Sequence, residues 1–178
     1  MRYYKGSAPG THYWEEAHDP RRYGFRPRQG SGLGTDAIVR HITQYSAVSP
    51  YVSLTTSFAI ARSYALSGRD EAEQGKVWLV DLDEPSNVTH PMPVMLAALG
   101  GRRLHDGDQH LIRQLLVGYR APPTTFEGVL DPTGDRVKIA VNSEVTEELR
   151  AIVFALRDAE VLVQHVLPKS VVGCILVA

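Results

Sequence analysis

A single cysteine, Cys174, stands in a chain of 178 residues, and no other feature narrows the possible folds as much. One thiol cannot close an internal disulfide. Nor can it supply the several thiolates that a zinc ribbon or an iron–sulfur cluster needs. The chain must therefore hold itself together by burying apolar surface, and 43% of its residues are hydrophobic. That fraction is ordinary for a packed core and too high for a disordered chain. The length suits one domain, and no shift in composition marks a boundary, so the expectation is a single domain over 1–178.

Charge excludes further classes. Lys and Arg number 19 against 20 Asp and Glu, a formal net charge of −1, whereas proteins that coat nucleic acid usually carry a large positive excess. The balance is uneven along the chain. The first 40 residues hold seven basic and four acidic side chains, a net of +3, which leaves −4 for the rest. Arg21, Arg22, Arg26 and Arg28 are interleaved with Tyr23 and Phe25. This stretch is either a solvated loop tucked onto the core by its two aromatics or a guanidinium surface for an anionic ligand. The opening Met1-Arg2-Tyr3-Tyr4-Lys5-Gly6 turns polar too early for the apolar part of a signal peptide. No apolar run approaches the roughly 20 residues of a membrane-crossing helix. A cytoplasmic protein is expected, or one delivered into a target cell without a cleavable signal, with no membrane partner.

Periodicity then yields elements. Residues 51–55 and 76–82 read as strands, as do 137–141, 161–166 and 171–177. Helices are expected from a cap at Thr35 or Asp36 with an Ile38, Val39, Ile42 stripe, and from Ser57 through Ala65. Two more are expected from Asp106 through Tyr119, and over 143–157 with an acidic start. Gly30-Ser31-Gly32-Leu33-Gly34 lacks the Lys-Ser/Thr ending of a phosphate loop and reads as a flexible joint. Residues 69–75 read as a charged turn. The sum is an α+β fold with a mainly antiparallel sheet.

Three segments can carry chemistry. In Tyr51-Val52-Ser53-Leu54-Thr55, strand alternation puts Ser53 and Thr55 on one face and Val52 and Leu54 on the other. The polar face is either solvent or the floor of a cleft. Asp158-Ala159-Glu160 leads into Val161-Leu162-Val163, and carboxylates are uncommon at the head of a β-branched strand. Arg2-Tyr3-Tyr4-Lys5-Gly6 is either an edge strand and turn or a strand presenting a cation into a cleft.

Taken in order, the three resemble the arginine–serine–glutamate branch of the ADP-ribosyltransferase superfamily, which includes bacterial toxin-like mono-ADP-ribosyltransferases. That family shows an aromatic-Arg-Gly first strand, then an aromatic-x-Ser-Thr-Ser/Thr strand followed by a helix with Ala and Tyr/Phe-Ala. A Gln/Glu-x-Glu at the head of a late strand comes last. Ser53 matches the leading serine, Thr55 the third position of that motif, Glu160 the glutamate, and Asp158 the residue two before it. The first-strand arginine is matched by Lys5 in position within Tyr4-Lys5-Gly6 and by Arg2 in residue type, and Arg2 is the preferred match and the expected third catalytic residue beside Glu160 and Ser53. The resemblance implies antiparallel sheets around a central cleft with flanking helices, and NAD as co-substrate with no metal. It implies that Glu160 stabilises charge on the ribose, that Ser53 orients Glu160, and that Arg2 or Lys5 pairs with NAD phosphates beside Thr55 and Asp158. Phe58, Ala61, Ala65 and Tyr64 are expected in the core behind the strand. The implied activity is transfer of ADP-ribose to a protein or nucleic-acid acceptor, with a cognate inhibitor or antitoxin as a possible partner. The alternatives are an NAD glycohydrolase on the same fold and a non-catalytic binding domain.

Other candidates read as structural. The seven histidines show no ligand-like pairing by spacing, and His165 alternates onto the face opposite Glu160. Cys174 lies in an apolar terminal strand and is expected to be a buried small residue.

Overall fold

The structure is a computed structural model that describes residues 1–28, 32–44, 48–66, 74–83, 87–100 and 147–178. It divides into two compact units, each assembled from separated stretches of chain. The first comprises 1–27, 51–89 and 161–178; the second comprises 28–50 and 90–160. The expected helix over 106–119, the strand over 137–141 and the turn over 69–73 lie outside the described residues.

The first unit is built on a sheet. β1 (Arg2–Ser7), β2 (Val52–Thr55), β3 (Gly75–Asp81), β4 (Val88–Thr89), β5 (Glu160–Val163) and β6 (Val171–Val177) stand in the order β4-β5-β2-β1-β3-β6. The pairings of β1 with β2, β1 with β3, β3 with β6 and β4 with β5 are all antiparallel. With its helices, this is an α+β fold with antiparallel pairing, as the periodicity implied; the sheet has six strands among the described residues, and β4 is not among those expected. One expectation changes: β1 lies between β2 and β3 and is an interior strand, with Tyr3 only 3% exposed. Its two aromatics, one on each face, suit it to the middle of the sheet.

Alternation along the strands separates two apolar layers. Tyr3, Val52, Leu54, Trp78, Val80, Val161, Val163 and Val171 pack with Phe25 and Val166 on one face. Phe25 and Val166 also exchange backbone hydrogen bonds at 3.0 and 2.8 Å. The short helix α1 (Pro20–Tyr23) begins at Asp19, whose carboxylate accepts from Arg21 N at 2.8 Å. Of the two aromatics expected to tuck this stretch onto the core, Phe25 is fully buried and Tyr23 is 55% exposed. The reason is that α1 turns Tyr23 outward before Gly24, at φ +72°, brings the chain back to the sheet.

The other face carries α3 (Phe58–Leu66). Its start is set by Ser57, whose hydroxyl accepts from Ile60 N at 3.4 Å and whose carbonyl accepts from Ala61 N at 3.1 Å. Ala61 and Ala65 are fully buried against Val77 and Val177, and Phe58 meets Tyr4 edge-on at 5.6 Å. Small residues let the helix backbone approach the sheet. A Cβ on Gly6 would run into the carbonyl oxygen of Ala61, and one on Gly75 into that of Ala65. Tyr64, expected in the core, is 46% exposed, because the helix face that buries Ala61 and Ala65 turns position 64 away.

The second unit is mainly helical among its described residues, with Glu160, the first residue of β5, at its end. α2 (Thr35–Thr43), α4 (Pro91–Gly100) and α5 (Glu147–Arg157) pack against one another. Ala151, Ile152, Val153, Ala155 and Leu156 of α5 are all buried. Gly34 stands at the cap of α2, one residue before Thr35 and two before Asp36, the expected caps, and its carbonyl accepts from Ile38 N at 3.1 Å. α4 has no counterpart among the expected elements. Its sequence is apolar on every side after Pro91, so no polar face marks a helical period. No helix among the described residues is long and apolar enough to cross a membrane.

Candidate functional site

Of the six residues singled out by the sequence, four belong to the first unit and two to the second. In the first unit, Arg2 sits at the outer end of β1 facing Asp81, its partner in the β1–β3 register. The guanidinium forms a two-pronged pair with that carboxylate, at 2.8 Å (Nε to Oδ1) and 2.7 Å (Nη2 to Oδ2), and both side chains are exposed. Hydrogen bonding to Arg2 holds the Asp81 carboxyl below the usual carboxylate range.

Lys5 is placed differently. It is half-buried, and its Nζ donates to the backbone carbonyl of Ser53 at 3.0 Å, tying β1 to β2 at the motif serine. The ammonium also lies 5.9 Å from the centre of the Tyr13 ring, a cation–π contact. Tyr13 is itself fixed, its hydroxyl donating to Arg26 O at 2.8 Å and accepting from Arg26 N at 3.1 Å. The structure therefore brings Lys5 and Ser53 together, and engages Arg2 elsewhere. Thr55 is buried, and its hydroxyl accepts from Ser57 N at 3.0 Å, closing the turn between β2 and α3.

In the second unit, α5 is followed by Asp158 and Ala159. Asp158 accepts from Arg157 Nε and Nη2, both at 2.7 Å, and the Arg157 guanidinium lies 4.7 Å from the centre of the Phe154 ring. Ala159 takes φ +45°, a left-handed conformation that a residue with a side chain rarely adopts. It reverses the chain so that Glu160 follows at the head of β5. An unusual backbone next to a candidate reactive carboxylate is where strain is often kept.

Glu160 does not point into water. Its side chain is only 9% exposed, and Oε1 lies 3.7 Å from Nε2 of His41, itself 1% exposed. The other ring nitrogen of His41, Nδ1, is 2.6 Å from the hydroxyl of Ser49, which is also buried. Ser49, His41 and Glu160 thus form a buried cluster at the head of β5. The spacing of the histidines, read for metal ligands, gives no sign of this cluster. Metal ligands on one helix recur at fixed spacing, whereas the partners of His41 come from a loop and a distant strand. A usable signal was present in the sequence. His41 interrupts the apolar stripe of Ile38 and Ile42 on α2, and a histidine on a buried helix face must find polar partners. His165, expected on the strand face opposite Glu160, is exposed and lies beyond the end of β5.

Cys174 is half-buried against the core, and burial pushes its thiol pKa up, as expected of a small core residue. Among the described residues no group of three or more His, Cys, Asp or Glu side chains is placed to hold a metal ion.

Compared with protein-family models, with curated proteins and with solved structures, the chain matches none.

Proposed function

We propose that the chain is an NAD-dependent mono-ADP-ribosyltransferase with an ADP-ribosyltransferase-like fold, its sheet strands bordering a cleft for the dinucleotide. The observation that carries this reading is the strand order. The three strands that bear the three motifs, β5, β2 and β1, are consecutive in one sheet, although they are far apart in sequence. The Lys5 ammonium, bonded to the backbone carbonyl of Ser53 at 3.0 Å, also sets the cation of the first motif beside the second.

Under this reading NAD is the substrate that donates ADP-ribose. The bond from ribose C1′ to the nicotinamide nitrogen breaks, the electron pair leaves with nicotinamide as a neutral ring, and positive charge grows on the ribose. The Glu160 carboxylate stabilises that charge and holds the 2′-hydroxyl, as carboxylates do in glycoside cleavage. A nucleophile of the acceptor then bonds to C1′ and gives up its proton. Nicotinamide departs uncharged, so no strong general acid is required, and Glu160 acts in its ionised form. Ser53 orients Glu160. Lys5 takes the cation position of the first strand and pairs with the phosphates of NAD, Thr55 shapes the site, and Asp158 influences the choice of acceptor. The acceptor is a protein or a nucleic acid, and a cognate inhibitor or antitoxin fits an enzyme of this kind.

The test is incubation with labelled NAD against separate protein, DNA and RNA pools. Label on one pool supports transfer and names the acceptor class; free ADP-ribose alone points to hydrolysis. Glu160→Gln keeps the shape of the side chain and removes its charge, so nicotinamide release should be abolished with the fold intact by circular dichroism. Turnover at the wild-type rate by that variant overturns the proposal.

A further inference from the structure

We propose that Ser49 and His41 are a positioning pair for Glu160, with Ser49 fixing the imidazole so that a hydrogen-bearing Nε2 faces the carboxylate. The inference rests on the role of Glu160 given above, and concerns residues that none of the three sequence motifs contains.

The side chains of His41 and Glu160 are 1% and 9% exposed, and a carboxylate held that far from water is costly unless a donor or positive charge faces it. Nδ1 of His41 lies 2.6 Å from the Ser49 hydroxyl, a hydrogen bond by distance. Nε2 lies 3.7 Å from Glu160 Oε1, within range of electrostatic attraction and beyond a direct hydrogen bond. Three protonation patterns of the ring can be compared. As imidazolium, Nδ1–H donates to Ser49 and Nε2–H faces Glu160. As the neutral ring with hydrogen on Nε2, the Ser49 hydroxyl donates to Nδ1 and Nε2–H again faces Glu160. As the neutral ring with hydrogen on Nδ1, the lone pair of Nε2 faces an ionised carboxylate across a low-dielectric gap, which is repulsive. Two patterns are compatible with an ionised Glu160, and in both the hydrogen on Nε2 is directed at it.

Ser49 matters because its hydroxyl both accepts and donates, so it serves either compatible pattern while holding the ring in one orientation. A residue that fixes the tautomer and direction of a histidine through its second nitrogen is a recurrent device. Here it would keep the Glu160 carboxylate ionised and aimed.

Two measurements test the pair. The first is long-range ¹H–¹⁵N NMR of the His41 ring in ¹⁵N-labelled full-length protein at pH 7.5, without NAD. It should show Nε2 carrying hydrogen in the wild type and a loss of that single pattern in Ser49→Ala. A neutral ring with hydrogen on Nδ1 in the wild type overturns the proposal whether or not the protein cleaves NAD. The second is steady-state nicotinamide release. Ser49→Ala should lower kcat about ten- to hundredfold, as expected for a misplaced reacting group, with KM for NAD within about twofold. His41→Gln, which keeps an N–H near the Nε2 position, should retain more kcat than His41→Ala. If Ser49→Ala folds and turns over at the wild-type kcat, the pair is not a positioning device. Absence of NAD cleavage by the wild type overturns the proposed function instead, and leaves the NMR result to decide the tautomer.

Discussion

Arg2 and Lys5 are separated by two residues, carry the same charge and differ wholly in placement. Arg2 is spent on Asp81 at the rim of the sheet, while Lys5 reaches across to the backbone of Ser53. The residue type favoured Arg2 for the phosphate-pairing role and the position in the motif favoured Lys5. Only the register of β1 against β3, which sets Arg2 opposite Asp81, separates the two. Lys5→Met keeps the apolar stem and removes the charge, so it should weaken NAD binding about ten- to hundredfold, the range for a hydrogen bond to a charged group. Arg2→Met should change NAD affinity by less than about twofold. Isothermal titration of both variants checks this, and a large loss in Arg2→Met with none in Lys5→Met would reverse the assignment. His41 teaches the complementary lesson. It was visible in the sequence as a polar interruption of an apolar stripe, and its partners were not, because Ser49 and Glu160 meet it through folding rather than through helical spacing.

At the scale of elements, β1, β3 and α3 show how local pattern and close packing combine. The alternation in 76–80 and the cap at Ser57 were legible from the sequence, since both depend on neighbours within a few residues. The reason for Gly6 was not. It looks like a turn residue after a strand, yet it lies within β1 where the backbone of α3 comes down on the sheet, and a Cβ there would strike Ala61 O, with Ala65 N at 2.8 Å and Tyr64 Cβ at 2.9 Å. Those obstacles are mostly backbone and cannot rotate aside. Gly6→Ala should therefore destabilise the protein by about 3 kcal/mol or more, the upper end of over-packing costs. Urea unfolding measures it, and a loss under about 1 kcal/mol would mean that α3 can lift off the sheet. α4 marks the opposite failure of legibility, because an all-apolar helix has no period to detect. The strand expected over 161–166 ends at Val163 in β5, and Val166 joins Phe25 through an isolated bridge.

At the scale of the whole molecule, both units are made of stretches brought together from distant parts of the chain. β1 pairs with β3, and β3 with β6, so much of the sheet waits on long-range loop closure, which slows folding. Stability should respond to mild acid through His90. This ring is half-buried at the start of α4, and burial pushes its pKa below the ordinary imidazole range. The unfolded chain then binds the proton more readily than the folded one. The contribution is complete above the unfolded pKa of about 6.5 and is lost as pH falls through the lower folded value. The stability advantage of the wild type over His90→Gln, measured by thermal unfolding, should therefore shrink from pH 7.5 to pH 5.5. An advantage that is constant over that range would show that His90 does not couple folding to protonation.

By itself the sequence determined the things that depend on composition and on neighbours along the chain. These are an α+β protein without disulfides, the strand at 171–177, the helix capped by Ser57, and a carboxylate placed at the head of a strand. The tertiary structure decided which strands are neighbours, putting β5, β2 and β1 side by side, and which of two cations meets Ser53. It also decided that Glu160 lies buried beside His41 and Ser49. The physical reason is range. Propensity, capping and alternation act over a few residues, whereas register, desolvation and the pairing of buried polar groups arise only when distant segments pack.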